Sequence, residues 1–304
     1  MALAVLVGVF SLFEANSRRV TAASASGGGA YLVLSAPEDI TYVFAETQED
    51  REHRIFLPVI MYHGVIDNLS AVNDYVITPA MFSSDMEYLA EHGYQTVLVS
   101  DIINYLDMGI PLPEKPVLVT FDDGHYNVLK YIYPIMEEQS LRAIINVEGA
   151  FMEGTIAEGR HSSEYSYLTW EEVCVLAESG LFEIGNHTYN MHALQGGRKG
   201  TLIQKRETSD EYKVALHDDI VHLQSLLWQE CNVTPNAFAY PYGLISDESI
   251  PVLKDLGFRV LMTCYEKPNY LSISPGETLM LHRYNRSGKV TTEEFMSGLL
   301  AAAP

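Results

Sequence analysis

Three short stretches hold the residue types that hydrolytic chemistry needs. Val117-Leu118-Val119-Thr120-Phe121 is an apolar, β-branched run that stops at Asp122-Asp123-Gly124-His125. Leu181-Phe182-Glu183-Ile184-Gly185 leads into His187-Thr188-Tyr189-Asn190-Met191-His192, and Ala239-Tyr240 into Pro241-Tyr242-Gly243. A solvated turn is the plainer reading of Asp-Asp-Gly alone. Acids and imidazoles at the ends of several strand-like runs, however, could share one rim, where parallel α/β folds gather ligands and catalytic groups. One carboxylate and two imidazoles make a three-ligand set for a divalent transition metal, with coordination positions left open. Such a metal polarises a carbonyl and acidifies a water. Neighbouring side chains on extended backbone point to opposite sides, so one Asp can bind the metal while the other stands off as a base. A retaining glycosidase would instead need two carboxyls about 5 Å apart and no histidines. The chain has 10 histidines, so most have no ligand role.

The elements that must position these residues alternate in kind. Strands are expected over 57–63, 94–99, 117–121, 142–147, 182–185, 237–240, 258–263 and 278–281. Helices are expected between them: Thr78-Pro79 offers an N-cap and a first-turn proline, with Gly93 as the stop. Further helices are expected over 100–109, 126–139, 209–230 and 246–256 and from Thr292, and Thr169-Trp170-Glu171-Glu172 is a capping box for one more that ends at Gly180. Short strands alternating with helices predict a parallel α/β architecture, and the number of units fits a (β/α) barrel of about seven parallel strands. A doubly wound sheet is the alternative, but no Gly-rich phosphate turn follows any strand.

Charge narrows the partners. With 19 Lys+Arg against 40 Asp+Glu the net charge is −21, which excludes nucleic acid and disfavours polyanionic substrates and anionic membrane surfaces. A neutral glycan would not be repelled. Cys174, Cys231 and Cys264 are far apart and odd in number, and are read as core residues that do not report on redox compartment. Residues 1–13 are almost wholly apolar, too short for a comfortable membrane span and suited to a signal peptide, with Ala23-Ser24-Ala25 as a small-residue cleavage site. Arg18 and Arg19 follow the run rather than precede it, so an uncleaved membrane anchor is the other reading. The expected organisation is therefore 1–26 signal peptide or anchor, 27–55 linker with one short strand at Tyr31–Leu34, and 56–304 the main domain, placed outside the cytoplasm as a secreted or surface-anchored protein.

Over residues 56–300 the chain resembles the NodB-homology polysaccharide deacetylases, carbohydrate esterase family 4. Thr120-Phe121-Asp122-Asp123-Gly124 matches the family's first motif in full, Pro241-Tyr242 matches the end of its third, and Pro58 to His63 is similar to the opening strand of many members. The resemblance implies a distorted (β/α) barrel. It implies zinc or another divalent transition metal on Asp123, His187 and His192, and Asp122 as the catalytic base. It also implies that the Tyr242 backbone N–H holds the oxyanion. Through Met280-Leu281-His282, it implies His282 as general acid, with Arg283 as the alternative residue facing the site. The implied substrate is a polymer containing N-acetylglucosamine, contacted by rim aromatics Tyr189, Tyr240 and Tyr242, and the implied products are acetate and an amine. Three features depart from the family pattern: the two histidines lie five positions apart instead of four, an Arg is missing ahead of Pro241, and an Asp-Trp motif is missing. The longer spacing resembles the poly-N-acetylglucosamine subgroup. The departures leave a second expectation standing, a non-catalytic glycan-binding or matrix-assembly protein on the same barrel.

Overall fold

The computed structural model describes residues 19–24, 30–36, 39–44, 54–159 and 161–303. The chain divides into two compact units at residue 54. In the first, Arg19–Ser24, Ala30–Ala36 and Asp39–Phe44 form a three-stranded antiparallel sheet; the first of these strands falls in the segment expected as signal peptide or anchor, and the other two in the expected linker with its single strand. The apolar segment 1–13 of the expected signal peptide or anchor lies outside the described residues. Among the described residues no helix is long and apolar enough to cross a membrane.

The second unit is the barrel. Eight strands pair in the order Leu279–Leu281, Val260–Met262, Ala237–Ala239, Phe182–Asn186, Ala143–Val147, Pro116–Phe121, Val59–Tyr62 and Tyr284–Asn285, every pair parallel. A further strand, Gln95–Val97, pairs with Pro116–Phe121. The two edge strands, Leu279–Leu281 and Tyr284–Asn285, are separated in sequence only by His282 and Arg283. One short segment thus runs from one edge of the sheet to the other and closes it, in a distorted (β/α) barrel with one strand more than the approximately seven expected from the sequence.

The strand period of two sorts the side chains. Val117, Val119 and Phe121 face outward into a core shared with Phe82, Met86, Ile132 and Met136. Leu118 belongs instead to an inner cluster with Val59, Ile144, Ala237, Ala239, Val260, Met262 and Leu281, to which the helix Val99–Met108 adds Ile102, Tyr105 and Leu106. Following Leu118 and Thr120 on that inner side, Asp122 comes at the mouth of the barrel.

Two caps predicted from sequence form: Thr78 accepts from the Met81 N–H with Pro79 in the first turn of Pro79–Glu91, and Thr169 and Glu172 close a capping box on Trp170–Glu178; Ser100, expected to cap the helix that ends at Gly109, lies inside Val99–Met108 instead. Three details differ. The expected helix 126–139 is broken into a π-helical turn, Val128–Ile132, and the helix Tyr133–Gln139. Pro134 lacks the N–H that a continuous α-helix would need there. A helix absent from the sequence reading, Gly149–Glu158, follows the strand Ala143–Val147. And Cys174 and Cys231, read as separate core residues, are joined by a disulfide that ties the helix Trp170–Glu178 to the end of the long helix Ser209–Cys231, while Cys264 is free. Their sequence separation of 57 concealed the pairing.

Candidate metal centre and active site

Adjacent strands deliver the site. Pro116–Phe121 ends at Asp122 and Asp123, Phe182–Asn186 at His187, and Ala237–Ala239 at Tyr240 and the turn Pro241–Gly243. Asp123, Thr188 and Tyr242 each take a positive φ, of 71°, 75° and 58°. Such backbone is uncommon for residues with a Cβ and gathers at functional sites. At Asp123 it turns the second carboxylate out of the strand, away from Asp122.

Asp123, His187 and His192 bring one ligand atom each to within 4.8 Å of one another. Asp123 Oδ1 lies 3.5 Å from His187 Nε2 and 3.2 Å from His192 Nε2. The ring nitrogens facing away are tied down. His187 Nδ1 donates to the Ala239 carbonyl at 2.8 Å; a carbonyl can only accept, so Nδ1 carries a proton and Nε2 is the nitrogen turned toward Asp123. His192 Nδ1 meets the Tyr242 hydroxyl at 3.1 Å, and that hydroxyl in turn reaches the His192 carbonyl at 3.4 Å. Both Nε2 atoms are presented toward the carboxylate by partners of the kind that fix metal-ligating histidines. Two imidazoles and one carboxylate fit a divalent transition metal such as zinc in donor type and number. Asp123 also meets His125 Nε2 at 3.3 Å through its other oxygen, and His125 stacks on Tyr167. Burial would raise the Asp123 carboxyl, but the bonds from His125, His187 and His192 outweigh it and hold the group well below the usual carboxylate range.

Asp122 has a different environment. Arg283 Nη1 and Nη2 donate to its two oxygens at 2.7 Å each, and Asn146 Nδ2 donates to Oδ1 at 2.7 Å. Arg283 is itself fully buried, with Nε on the Thr263 carbonyl and Nη1 on Thr120 Oγ1. Burial alone would raise the Asp122 carboxyl; the Arg283 charge outweighs it and keeps the group ionised far below neutral pH. Of roughly four lone-pair positions on a carboxylate, Arg283 takes two and Asn146 a third. The remaining one, on Oδ2, is free to accept a proton. Gly185 makes room for this arrangement: a Cβ there would lie 2.0 Å from Asn146 Oδ1.

The Arg missing ahead of Pro241 is thus supplied by Arg283, from the segment that closes the barrel. His282, expected as general acid, has its Nδ1 3.1 Å from Thr263 Oγ1 and its backbone N–H and carbonyl on Asn269. His63, to which the sequence reading gave no role, ends the strand Val59–Tyr62. Its buried Nδ1 has no hydrogen-bond partner among the described residues. Burial lowers its pKa, against the pull of Asp123 and Asp122. The signal was present: an apolar strand ending in an imidazole, as at His187. Glu148 was also missed; burial pushes its carboxyl up to about 8. Of the tyrosines expected on the rim, Tyr242 is 43% exposed, whereas Tyr240 is fully buried with its hydroxyl on Ser249 and Tyr189 donates to Glu153 at 2.6 Å. Exposed Tyr75, edge-on to His63, takes the rim position that Tyr240 does not.

A parallel barrel with this ligand set and an ionised carboxylate beside it has the architecture of a metal-assisted hydrolase. Residues 109–261 match the polysaccharide deacetylase family, and the chain belongs to that family. It is 28% identical over 245 residues to the poly-β-1,6-N-acetyl-D-glucosamine N-deacetylase of Escherichia coli K12, covering 75% of this chain and 36% of that protein. To the enzyme of the same name from Staphylococcus aureus MRSA252 it is 24% identical over 196 residues, covering 64% and 63%. The chain therefore spans about a third of one curated relative and somewhat under two thirds of the other. Among solved structures, IcaB from Ammonifex degensii superposes with a TM-score of 0.66 at 25% identity, covering 82% of this chain and 98% of that one. A de-N-acetylase from Aggregatibacter actinomycetemcomitans has the same fold, with a TM-score of 0.67 at 22% identity over 79% and 99% of the two chains.

Proposed function

We propose that this protein is a zinc-dependent N-deacetylase of poly-β-1,6-N-acetylglucosamine, acting outside the cytoplasm. The observation that carries the reading is the pairing of Asp123, His187 and His192, all with ligand atoms converging, with an Asp122 held ionised by Arg283. The substrate follows from the names of the two curated relatives. A divalent metal on the triad supplies Lewis acidity, acidifying a water and polarising the acetamide oxygen. Asp122 Oδ2 takes the proton of the attacking water, whose oxygen bonds to the acetyl carbon. The Tyr242 backbone N–H, at the strained turn after Ala237–Ala239, donates to the developing oxyanion. As the C–N bond breaks, a proton passes to the amine nitrogen, leaving acetate and a glucosamine unit. His63 suits that delivery better than His282: it follows the strand that pairs with Pro116–Phe121 and its buried Nδ1 has no partner among the described residues, whereas His282 is held through Nδ1 by Thr263 and through its backbone by Asn269. With Arg283 in place of the missing third-motif Arg, a purely glycan-binding role loses one of its two supports.

The location rests on the Cys174–Cys231 disulfide, since such bonds persist in oxidising compartments. It rests also on the apolar residues 1–13. The deciding assay is acetate release from poly-β-1,6-N-acetylglucosamine, chito-oligosaccharides and acetylated xylan, with zinc present and after chelation. Release from the first, dependent on metal, is expected; activity on the xylan ester alone would refute the assignment.

A further inference from the structure

Two histidines five positions apart cannot both face one ion from a regular helix, because five residues turn the helix by about 140°. The segment between His187 and His192 is a wide loop, and the structure shows what holds it open. Asn186 Oδ1 accepts from the Thr188 N–H at 2.8 Å, and Thr188 Oγ1 from the Met191 N–H at 3.1 Å. On one side the first residues of the helix Gly149–Glu158 donate to it, Gly149 N–H to the Thr188 carbonyl and Ala150 N–H to the Tyr189 carbonyl. Gly149 admits the Tyr189 ring, for a Cβ there would lie 2.5 Å from Tyr189 Cδ2.

From the other side comes Asp219, on the long helix Ser209–Cys231. Its Oδ1 accepts from the Tyr189 N–H at 2.8 Å and its Oδ2 from the Asn190 N–H at 2.9 Å. A carboxylate gives two consecutive N–H groups an acceptor atom each, side by side. Both oxygens of a half-buried acid are thereby committed to backbone that carries no ligand itself but sets where His192 stands.

We infer that Asp219 is a positioning residue of the metal centre: its carboxylate clamps the loop between His187 and His192, so that the five-position spacing still presents both Nε2 atoms to one ion. The inference rests on the proposed metal site. His187 is anchored separately, by its strand and by Ala239, so the loss of Asp219 moves His192 and leaves His187 in place.

The test is the dissociation constant for Co2+, measured by competition with a chromophoric chelator. The d–d spectrum of the Co2+ form and the unfolding midpoint of the metal-free protein are recorded alongside. Outer partners of metal ligands typically govern affinity by about 10- to 100-fold, and Asp219→Ala is expected to weaken Co2+ binding within that range and to change the spectrum. Asp219→Asn, which keeps one acceptor oxygen, is expected at the low end of the range, and Asp218→Ala, at an exposed neighbour on the same helix, to bind as wild type. If Asp219→Ala does not fold, Asp219→Asn carries the test. Asp219 variants that bind Co2+ with wild-type affinity and spectrum overturn the clamp alone. A wild-type chain that takes up no metal, or a His187→Ala variant that binds as tightly, overturns the metal centre itself.

Discussion

Replacing Arg283 by Met removes a charge while keeping much of the side-chain volume, and the structure says what should follow. The pair is fully buried, and Nη1 and Nη2 of the guanidinium each bond to Asp122 at 2.7 Å. Removing one partner of a buried ion pair leaves the other uncompensated and costs about 3–5 kcal/mol. The size of the effect should depend on pH, with a sign that can be worked out. In the wild type the Asp122 carboxyl lies below its unfolded value, so its contribution to stability is present above about pH 4 and lost as pH falls through the folded value. In the variant Asn146 is the donor that remains, burial dominates, and the carboxyl rises above about 4. Stability is then lost as pH rises. The gap between the two proteins should widen from pH 4 to pH 7, by about 1.4 kcal/mol for every tenfold difference in the proton affinity of the carboxyl. Urea unfolding at pH 4, 5.5 and 7 measures the gap, and the pH dependence of acetate release gives the catalytic counterpart: an acidic limb displaced upward in a protein that still holds metal. A gap that is flat with pH, or an acidic limb that does not move, would refute the reasoning.

Asp122→Asn should retain metal, measured by elemental analysis, and lose about 10²–10⁴ in turnover, the usual share of a general base. Asp85 accepts from Arg286, Tyr62 and Thr292 in a buried network that bonds to none of Asp123, His187 and His192, so Asp85→Ala should lose about 3–5 kcal/mol in urea unfolding with metal affinity unchanged. The double variant Cys174→Ser, Cys231→Ser should lose about 2–4 kcal/mol, and reduction of the wild type should reproduce the loss. In the metal-free protein Glu148, pushed up to about 8 by burial, withdraws stability as pH rises from its unfolded value. Glu148→Gln keeps an acceptor for the Phe151 N–H, and should match wild type near pH 4 and exceed it by more than about 1 kcal/mol at pH 8.

The barrel could be read from the sequence because its signals are local. Each strand is an apolar run with a polar terminator, and several helices carry their own caps, as at Thr78 and Thr169. Asp122, Asp123, His187 and His192 stood out for the same reason, being polar residues at the abrupt ends of apolar runs. What stayed hidden depends on closure. Arg283 was legible as the alternative to His282 facing the site, but its partner was not: it reaches Asp122 across 161 positions of sequence, and only because Leu279–Leu281 and Tyr284–Asn285 are the two edges of one sheet. No periodicity within a strand carries that information. The same holds for Cys174 and Cys231, which helix packing brings together. Tyr240 was misplaced by one step of strand geometry: it continues the outward face of Phe238, against which its ring packs edge-on, so it is buried where its neighbour Tyr242 is exposed.

The departures from the family pattern are connected through the backbone. Among the described residues five non-glycine residues take a positive φ; Ser140 and Asn232 do so as helix C-caps, where the left-handed turn ends a helix. Asp123, Thr188 and Tyr242 sit at the mouths of three strands, and each carries or adjoins a group that faces the same point. A single left-handed residue costs roughly 1–3 kcal/mol and persists only where its surroundings over-determine it. At Thr188 those surroundings are Asn186, the first residues of Gly149–Glu158 and, two residues on, Asp219. The extra residue between the histidines is therefore accommodated by a loop bonded on both sides to neighbouring helices, and the ligand geometry of the site depends on residues that touch no ligand atom.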